Sequence, residues 1–268
     1  MQYKLLVLDL DGTLTNSKKE ISARTKEVLI KAQERGVTIV LASGRPTYGI
    51  VPLAEELELE KYGGYILSFN GGTIINWKTK EIIHESVLGS ERLPILHEIA
   101  LRNNVDIISY DNENIISENP DNEYIKYEAF LNKMSIKKVP SFIDALAVPV
   151  PKCLIVGSPE KLVALEQEMK ELFGLEMSIF RSEPFFLELL PLNIDKALSL
   201  QRLLNYTGNT REEMLACGDG FNDLSMIKFA GKGVAMANAQ EAVKEASDFI
   251  TLSNEEDGVA HAVELFMN

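Results

Sequence analysis

Hydrophobic residues follow a regular rhythm in the first and last parts of this chain. Residues 3–8 form an apolar run typical of a strand buried on both faces. A helical pattern begins after Ser22 and ends at Gly36, and residues 37–42 form a second apolar run. Strand, helix and strand in this order predict a right-handed βαβ unit. The same alternation returns between residues 195 and 251, so both parts predict one doubly wound, mostly parallel sheet.

The middle of the chain has a different rhythm. Its patterns predict helices at 91–102, 122–131 and 159–173, and strands at 105–110, 114–117, 152–157, 175–181 and 185–190. This order is typical of an α+β domain. We therefore predict an α/β fold with a core domain built from residues 1–84 and 186–268 and an inserted α+β domain at 85–185. A length of 268 residues agrees with two domains.

Composition and charge narrow the classes of partner. The formal net charge of −13 disfavours nucleic acid, because its phosphates would be repelled over most of the surface. Cys153 and Cys217 lie in apolar runs, and we expect both to be reduced core thiols. The first ten residues do not resemble a signal peptide, and we find no apolar run of membrane-spanning length. We expect a cytoplasmic protein with no membrane partner, as a monomer or a small homo-oligomer.

Two aspartates at the end of the first strand carry the sharpest chemical signal. Asp9 and Asp11 lie two residues apart in the sequence Asp-Leu-Asp-Gly-Thr, where a parallel sheet binds its ligands. Carboxylates held this close repel each other unless a cation neutralises them, so they predict a hard divalent ion bound by oxygen. The plainer interpretation, helix capping, explains the motif less well.

A second acidic motif follows a later apolar strand. Asp219 and Asp223 flank the sequence Gly-Phe-Asn and again lie at the carboxyl end of a strand. Alone they could cap a helix. Together with the first motif, they are expected to contribute to the same ion.

Two weaker signals fit an anionic ligand. Ser43, Gly44 and Arg45 follow a strand, and a short hydroxyl beside exposed amides can bind a phosphate oxygen, although serine at this place often only caps a helix. Lys196 stands at a predicted helix start, where its charge opposes the helix dipole. A cation placed against the dipole suggests a functional role.

These motifs, in this order and with this insertion, resemble the haloacid dehalogenase superfamily of phosphohydrolases, and most of all its Cof-type branch with an inserted α+β cap. The resemblance extends over nearly the whole chain. It includes the turn at Asn70 and Gly71 and the sequence Gly-Val-Ala-Met-Ala-Asn-Ala at 233–239. Ala197 departs from the pattern, since many members have glycine after the lysine.

The resemblance implies specific roles and a cofactor. Asp9 would be the nucleophile that forms an aspartyl-phosphate, and Asp11 would act first as general acid and then as general base. Mg²⁺ would be held by Asp9, the backbone carbonyl of Asp11 and Asp219, with Asp223 supporting the metal site from behind. The residues expected to bind the substrate are Ser43, Gly44, Arg45, Asn70, Gly71, Lys196 and Asn222.

The implied function is a Mg²⁺-dependent phosphatase for a small phosphorylated metabolite, and we expect a sugar phosphate. One alternative is a phosphomannomutase-like phosphomutase, which would need cations in the inserted domain to hold a bisphosphate. The only arginines there are Arg92, Arg102 and Arg181, which counts modestly against it. The other alternative is a phospho-accepting switch domain, which has no use for an inserted lid.

Overall fold

The computed structural model describes residues 3–111, 113–146 and 148–267. The chain divides into two units, Met1–His84 with Asp195–Asn268 and Glu85–Ile194. The strands are β1 (Leu5–Leu8), β2 (Thr38–Ala42), β3 (Tyr65–Ser68), β4 (Thr73–Asn76), β5 (Ile82–Glu85), β6 (Asp106–Tyr110), β7 (Asn114–Ser117), β8 (Ser135–Lys138), β9 (Cys153–Val156), β10 (Met177–Glu183), β11 (Phe186–Pro191), β12 (Met214–Gly218), β13 (Lys232–Ala235) and β14 (Phe249–Ile250).

Eleven α-helices connect these strands in the described residues. They are α1 (Ala23–Glu34), α2 (Thr47–Glu56), α3 (Leu59–Tyr62), α4 (Leu93–Arg102), α5 (Glu123–Asn132), α6 (Phe142–Ala145), α7 (Pro159–Phe173), α8 (Lys196–Thr207), α9 (Leu224–Phe229), α10 (Glu241–Ala246) and α11 (Gly258–Phe266). Helix α1 begins where the Ser22 hydroxyl accepts a hydrogen bond from the Thr25 amide, as the sequence predicts. Among the described residues, we find no helix with the length and apolar character of a membrane span.

The first unit contains an eight-stranded sheet in the order β14-β13-β12-β1-β2-β3-β4-β5. The strands from β14 to β3 run parallel, and β4 pairs antiparallel with β3. The predicted doubly wound, mostly parallel sheet is therefore confirmed. Strands β12, β1, β2 and β3 are neighbours, so their carboxyl ends meet at one edge of the sheet.

The second unit contains a six-stranded sheet in the order β10-β11-β9-β6-β7-β8. All neighbours pair antiparallel except β7 and β8. One face of this sheet packs against α4, α6 and α7 through buried side chains such as Leu96, Phe142 and Leu165. Mixed strands and helices in this arrangement confirm the predicted α+β character.

The second boundary between the units differs from the prediction. We predicted that the core domain resumes at residue 186, but β11 pairs with β9 and β10 of the second unit. The second unit therefore extends to Ile194. A short apolar strand such as β11 carries no signal in its own sequence for the sheet it joins, which explains the error.

Candidate active site

The ends of two neighbouring strands and the start of one helix bring three carboxylates and one ammonium group together. Asp9 follows β1, Asp219 and Asp223 follow β12, and Lys196 is the first residue of α8. Asp9, Asp219 and Asp223 each offer an oxygen within 4.8 Å of the others. Lys196 donates from Nζ to Asp9 Oδ1 at 2.7 Å and to Asp223 Oδ1 at 2.5 Å. Four residues singled out in the sequence thus meet in one cluster.

Lys196 is charged although it is almost completely buried, with 1% of its surface exposed. Burial alone would lower the pKa of this amine, but the carboxylates of Asp223 and Asp9 raise it above its ordinary value. A buried ammonium is tolerated only when it is paired in this way. The ion pairs therefore explain why α8 begins with a lysine that opposes its dipole.

The carboxylates have unusual proton affinities. Burial raises the pKa of Asp9 well above its ordinary value, and the nearby Asp223 adds to this effect while Lys196 opposes it. Burial also raises the pKa of Asp219 to about 6, against a hydrogen bond from Thr13 that lowers it. Both pKa shifts have burial as their main cause, and the neighbouring carboxylate of Asp223 adds to each of them.

Asp223 holds the loop after β12 in place. Its Oδ2 accepts hydrogen bonds from the backbone amides of Asp219 and Gly220, both at 2.9 Å, while its Oδ1 accepts from Lys196. One oxygen of Asp223 therefore binds the loop, and the other binds Lys196. This arrangement fits an indirect role for Asp223 in supporting the site.

The residues of the cluster fit a divalent cation. Three carboxylates against one ammonium group leave two negative charges in excess, and carboxylate oxygens are the donors that Mg²⁺ prefers. Asp219 is oriented by Thr13, whose hydroxyl donates to Asp219 Oδ1 at 2.7 Å. Asp9 and Asp219 are the side chains that would bind such an ion directly.

Asp11 is not one of the three clustered carboxylates, and its side chain is held by two cations instead. Its Oδ1 accepts from Arg45 Nη2 at 2.7 Å and from Lys19 Nζ at 2.7 Å, and its Oδ2 accepts from Arg45 Nε at 2.8 Å. Burial would raise the pKa of Asp11, but the hydrogen bonds and charges of Arg45 and Lys19 lower it to about 2. Arg45, which we predicted as a substrate-binding residue, thus contacts the side chain of Asp11.

Ser43 is built into the junction between β2 and β3. Its amide donates to the Leu67 carbonyl at 2.9 Å, its carbonyl accepts from the Asn70 amide at 2.8 Å, and its hydroxyl accepts from the Arg45 amide at 3.1 Å. Gly44 lies next to Asn70, whose side-chain nitrogen would be 3.3 Å from a Cβ at that position. These contacts bring the motif after β2 against the turn after β3.

The turn at Asn70 and Gly71 depends on left-handed backbone, with φ values of 57° and 92°. A Cβ at Gly71 would lie 2.2 Å from the hydroxyl oxygen of Ser199, which donates to the Gly71 carbonyl at 2.8 Å. The turn thereby directs Asn70 toward Asn222, whose Nδ2 donates to Asn70 Oδ1 at 3.1 Å. Two predicted substrate-binding residues are thus in contact.

The structure adds three residues that we had not singled out for the site. Thr13 orients Asp219, Lys19 contacts Asp11, and Asn238 Nδ2 donates to the Gly12 carbonyl at 2.8 Å. Thr13 and Asn238 lie inside motifs quoted above, so their position was a usable signal. Lys19 lies in a polar turn without any pattern, and only the folded chain shows its contact with Asp11.

Comparison with known proteins agrees with this geometry. Residues 6–263 match the family of haloacid dehalogenase-like hydrolases. The 5-amino-6-(5-phospho-D-ribitylamino)uracil phosphatase YcsE of Bacillus subtilis is 30% identical, and the alignment covers 98% of this chain and 95% of the relative. YxeH of the same organism is 35% identical, with 97% of both chains covered.

Solved structures show the same relationship. A haloacid dehalogenase-like hydrolase from Bacteroides thetaiotaomicron is 59% identical with a TM-score of 0.96, covering 98% of this chain and 99% of that one. The subclass IIB sugar phosphatase BT4131 is 26% identical with a TM-score of 0.83, covering 98% and 99%.

The chain therefore belongs to the haloacid dehalogenase-like hydrolases, and the resemblance predicted from its motifs is confirmed. Within this family it is a phosphatase.

Proposed function

We propose that this phosphatase is Mg²⁺-dependent and removes phosphate from a small phosphorylated metabolite, a sugar phosphate, through an aspartyl-phosphate on Asp9. The observation that carries the proposal is the position of Asp9. It is buried at the end of β1, paired with Lys196, and within 4.8 Å of two further carboxylates. A carboxylate nucleophile divides the hydrolysis of a phosphate ester into two easier steps.

In the first step, an oxygen of Asp9 attacks phosphorus and the bond to the leaving alcohol breaks. We assign this role to Oδ2, because Oδ1 accepts the hydrogen bond from Lys196. Lys196 orients Asp9 and favours its ionised form against the effect of burial, and its charge offsets the negative charge that gathers on the phosphoryl oxygens. Ser43, Gly44, Asn70, Gly71 and Asn222 lie at the same sheet edge as candidates for binding the phosphoryl group.

In the second step, water attacks the phosphorus of the aspartyl-phosphate, and the bond to Asp9 breaks. Asp11 accepts the proton of this water in our proposal. The leaving alcohol of the first step also needs a proton, and the prediction from family resemblance gives this task to Asp11 as well. Arg45 and Lys19 hold Asp11 in its carboxylate form, which is the form required at the start of the second step, whereas the first step requires the protonated form.

Asp9, Asp219 and the backbone carbonyl of Asp11 are the groups that would hold Mg²⁺. Asp223 would support the site indirectly, through its hydrogen bonds with Lys196 and the loop that carries Asp219. When bound, the ion would neutralise the excess negative charge of the cluster and polarise a phosphoryl oxygen. Lys196 then supplies the second local positive charge in a protein whose net charge is −13. An anionic substrate needs local positive charge at the site of an acidic protein, and the proposed ion together with Lys196 would supply it.

The substrate class rests on relatives. YcsE is named a phosphatase of a phosphorylated ribityl compound, and BT4131 a sugar phosphatase. Both names describe a phosphate on a polyhydroxylated carbon chain, and we extend this class to the present chain. We further propose that the inserted unit contributes to substrate selection. A cytoplasmic location and a monomeric or small oligomeric state stay predictions from the sequence.

A phosphate-release assay over a panel of sugar and polyol phosphates tests the proposal. We expect activity with Mg²⁺, loss of activity after chelation, recovery on adding Mg²⁺, and inhibition by Ca²⁺, whose longer bonds position the oxygens poorly.

Asp9→Asn should lower turnover by about three powers of ten or more, equivalent to roughly 4 kcal/mol, while the fold survives. Asp121→Asn, at an exposed site, is the control. Full activity after chelation, or near-normal activity of Asp9→Asn, would refute the assignment.

A further inference from the structure

Asp11 is held by two cationic side chains from different parts of the chain. Arg45 binds it with two parallel hydrogen bonds, Nε to Oδ2 at 2.8 Å and Nη2 to Oδ1 at 2.7 Å. This fork-to-fork geometry fixes the plane of a carboxylate as well as its distance. Lys19 adds a third hydrogen bond, to Oδ1. Both cations therefore restrict the orientation of Asp11.

Arg45 is itself rigidly placed. Its backbone amide donates to the Ser43 hydroxyl at 3.1 Å, its carbonyl accepts from the Phe69 amide at 3.0 Å, and its Nη1 donates to the Gly49 carbonyl at 3.1 Å. Its side chain is 11% exposed, compared with 39% for Asp11. The arginine can therefore act as a fixed support for the more exposed aspartate.

Lys19 is placed by a turn that carries backbone strain. Its φ of 62° lies in the left-handed region, which is unfavourable for a residue with a side chain. The Asn16 side chain stabilises the turn by accepting from the amides of Lys18 at 2.9 Å and Glu20 at 3.1 Å. Strain at a residue that contacts a site residue is a reason to test it for a function.

The three hydrogen bonds leave one position open on Asp11. A carboxylate offers about four acceptor positions, two on each oxygen. Among the described residues, Oδ1 receives two donors and Oδ2 receives one. The remaining acceptor position on Oδ2 has its direction fixed by the Arg45 fork.

We propose that Arg45 and Lys19 are positioning residues for the hydrolysis of the aspartyl-phosphate, because they fix the orientation of the Asp11 carboxylate and leave one acceptor position on Oδ2 for the attacking water. This inference rests on the proposed function. In the step concerned, the water oxygen forms a bond to phosphorus and the bond between phosphorus and the Asp9 oxygen breaks. The proton of the water moves to Asp11 Oδ2, inorganic phosphate leaves, and Asp9 returns to a carboxylate.

Rapid-quench kinetics with p-nitrophenyl phosphate and Mg²⁺ tests the proposal. Nitrophenolate leaves without help from an acid, so the rate of its initial release reports the formation of the aspartyl-phosphate. When hydrolysis of the aspartyl-phosphate is slow, the steady-state rate reports that second step. For Arg45→Met we expect a burst of about one equivalent of nitrophenolate, acid-trapped phosphorylated protein, and steady-state turnover lowered roughly ten- to hundredfold. Lys19→Met should act in the same direction with a smaller effect.

Two further variants serve as controls. Arg45→Lys keeps the charge but loses the fork, so it should recover part of the lost turnover, and it replaces Arg45→Met if that variant does not fold. Arg24→Met removes a surface arginine that pairs with Glu264 at 2.9 Å, and its kinetics should equal those of the wild type.

Each other outcome has a distinct meaning. Arg45 variants with normal turnover would overturn the inference, as would slow turnover without a burst, which places the defect before the phosphorylated protein. A higher KM for every substrate with unchanged turnover would assign Arg45 to phosphate binding instead. A wild-type protein inactive toward all esters would refute the proposed function, and the inference with it.

Discussion

Gly12 shows how one missing side chain shapes the metal-binding candidate. Its φ is 83°, and a Cβ at this position would lie 2.3 Å from Asp219 Oδ2. Gly36 has a similar φ of 94°, but nothing lies within 4 Å of the Cβ it would carry. A side chain at either position would strain the backbone, but only a side chain at Gly12 would also collide with Asp219.

Gly12→Ala and Gly36→Ala form a matched pair of substitutions. Both should lower the free energy of unfolding by about 1–2 kcal/mol, because alanine is strained at positive φ. Only Gly12→Ala should displace Asp219, so we expect it to weaken Mg²⁺ binding at least roughly tenfold. Denaturant titration and calorimetric titration with Mg²⁺ measure the two effects. Equal Mg²⁺ affinity in both variants would show that Asp219 Oδ2 does not bind the ion.

At the same scale, the sequence predicts some site residues well and others poorly. Asp9, Lys196, Asp219 and Asp223 were recognisable because each lies at the end of an apolar strand or the start of a helix, where the sheet brings ligands together. The contact between Arg45 and Asp11 was not predictable. It depends on side-chain directions in two loops, which periodicity does not determine.

Among the elements, α5 carries an unusual buried carboxyl group in the second unit. Glu128 is 5% exposed and accepts a hydrogen bond from the Tyr110 hydroxyl at 2.6 Å. Burial raises the pKa of Glu128 above its ordinary value of 4.5, and Lys152 and Tyr110 oppose this only in part. One turn later, Asn132 Oδ1 is buried without a hydrogen-bond partner among the described residues.

Glu128 should make the protein less stable as the pH rises. A carboxyl group whose pKa is higher in the folded state binds more protons there, so the folded state loses stability as pH increases above 4.5. Glu128→Gln removes this loss and can donate to Asn132, so we expect it to stabilise the protein at pH 8 by about 1 kcal/mol. At pH 4, the difference should nearly vanish.

Denaturant unfolding of both proteins between pH 4 and pH 8 measures this prediction. Glu98→Gln, at an exposed site on α4 of the same unit, is the control and should leave the pH dependence unchanged. A variant Glu128→Gln that is less stable than the wild type at pH 8 would show that the ionised carboxylate is required by its neighbours.

The elements missed in the sequence also have physical reasons. Strand β8 has the sequence Ser-Ile-Lys-Lys at the edge of its sheet, so it has little apolar pattern to detect. Helix α11 was not predicted, although Val259, Ala262, Val263 and Phe266 have helical spacing. It packs on α1, where Arg24 pairs with Glu264. The spacing alone was a sufficient signal for this helix.

At the scale of the whole molecule, each unit has its own hydrophobic core. The clusters of the first unit draw their buried residues from 3–74 and 200–267, and that of the second unit from 88–189. The clusters have no residue in common. The candidate site residues all belong to the first unit. The first unit should therefore fold, and keep the proposed metal site, without the second.

Removal of residues 85–194, with His84 joined to Asp195 by a Gly/Ser linker of about ten residues, tests this independence. Such a linker has a mean reach of roughly 18 Å. The shortened protein should unfold cooperatively, bind Mg²⁺ within a few-fold of the full chain, and hydrolyse p-nitrophenyl phosphate. It should distinguish poorly among sugar phosphates, because the groups that we assign to substrate selection are gone while Asp9, Lys196 and Asp219 remain.

The order of substrate preference decides between the two possible origins of specificity. The matched comparison is the full chain assayed on the same panel of esters, with kcat/KM for each substrate as the measurement. A flattened ranking in a folded, Mg²⁺-binding core would place selection in the second unit, because only its residues were removed. A ranking identical to that of the full chain would place selection in the first unit and refute the role proposed for the inserted one.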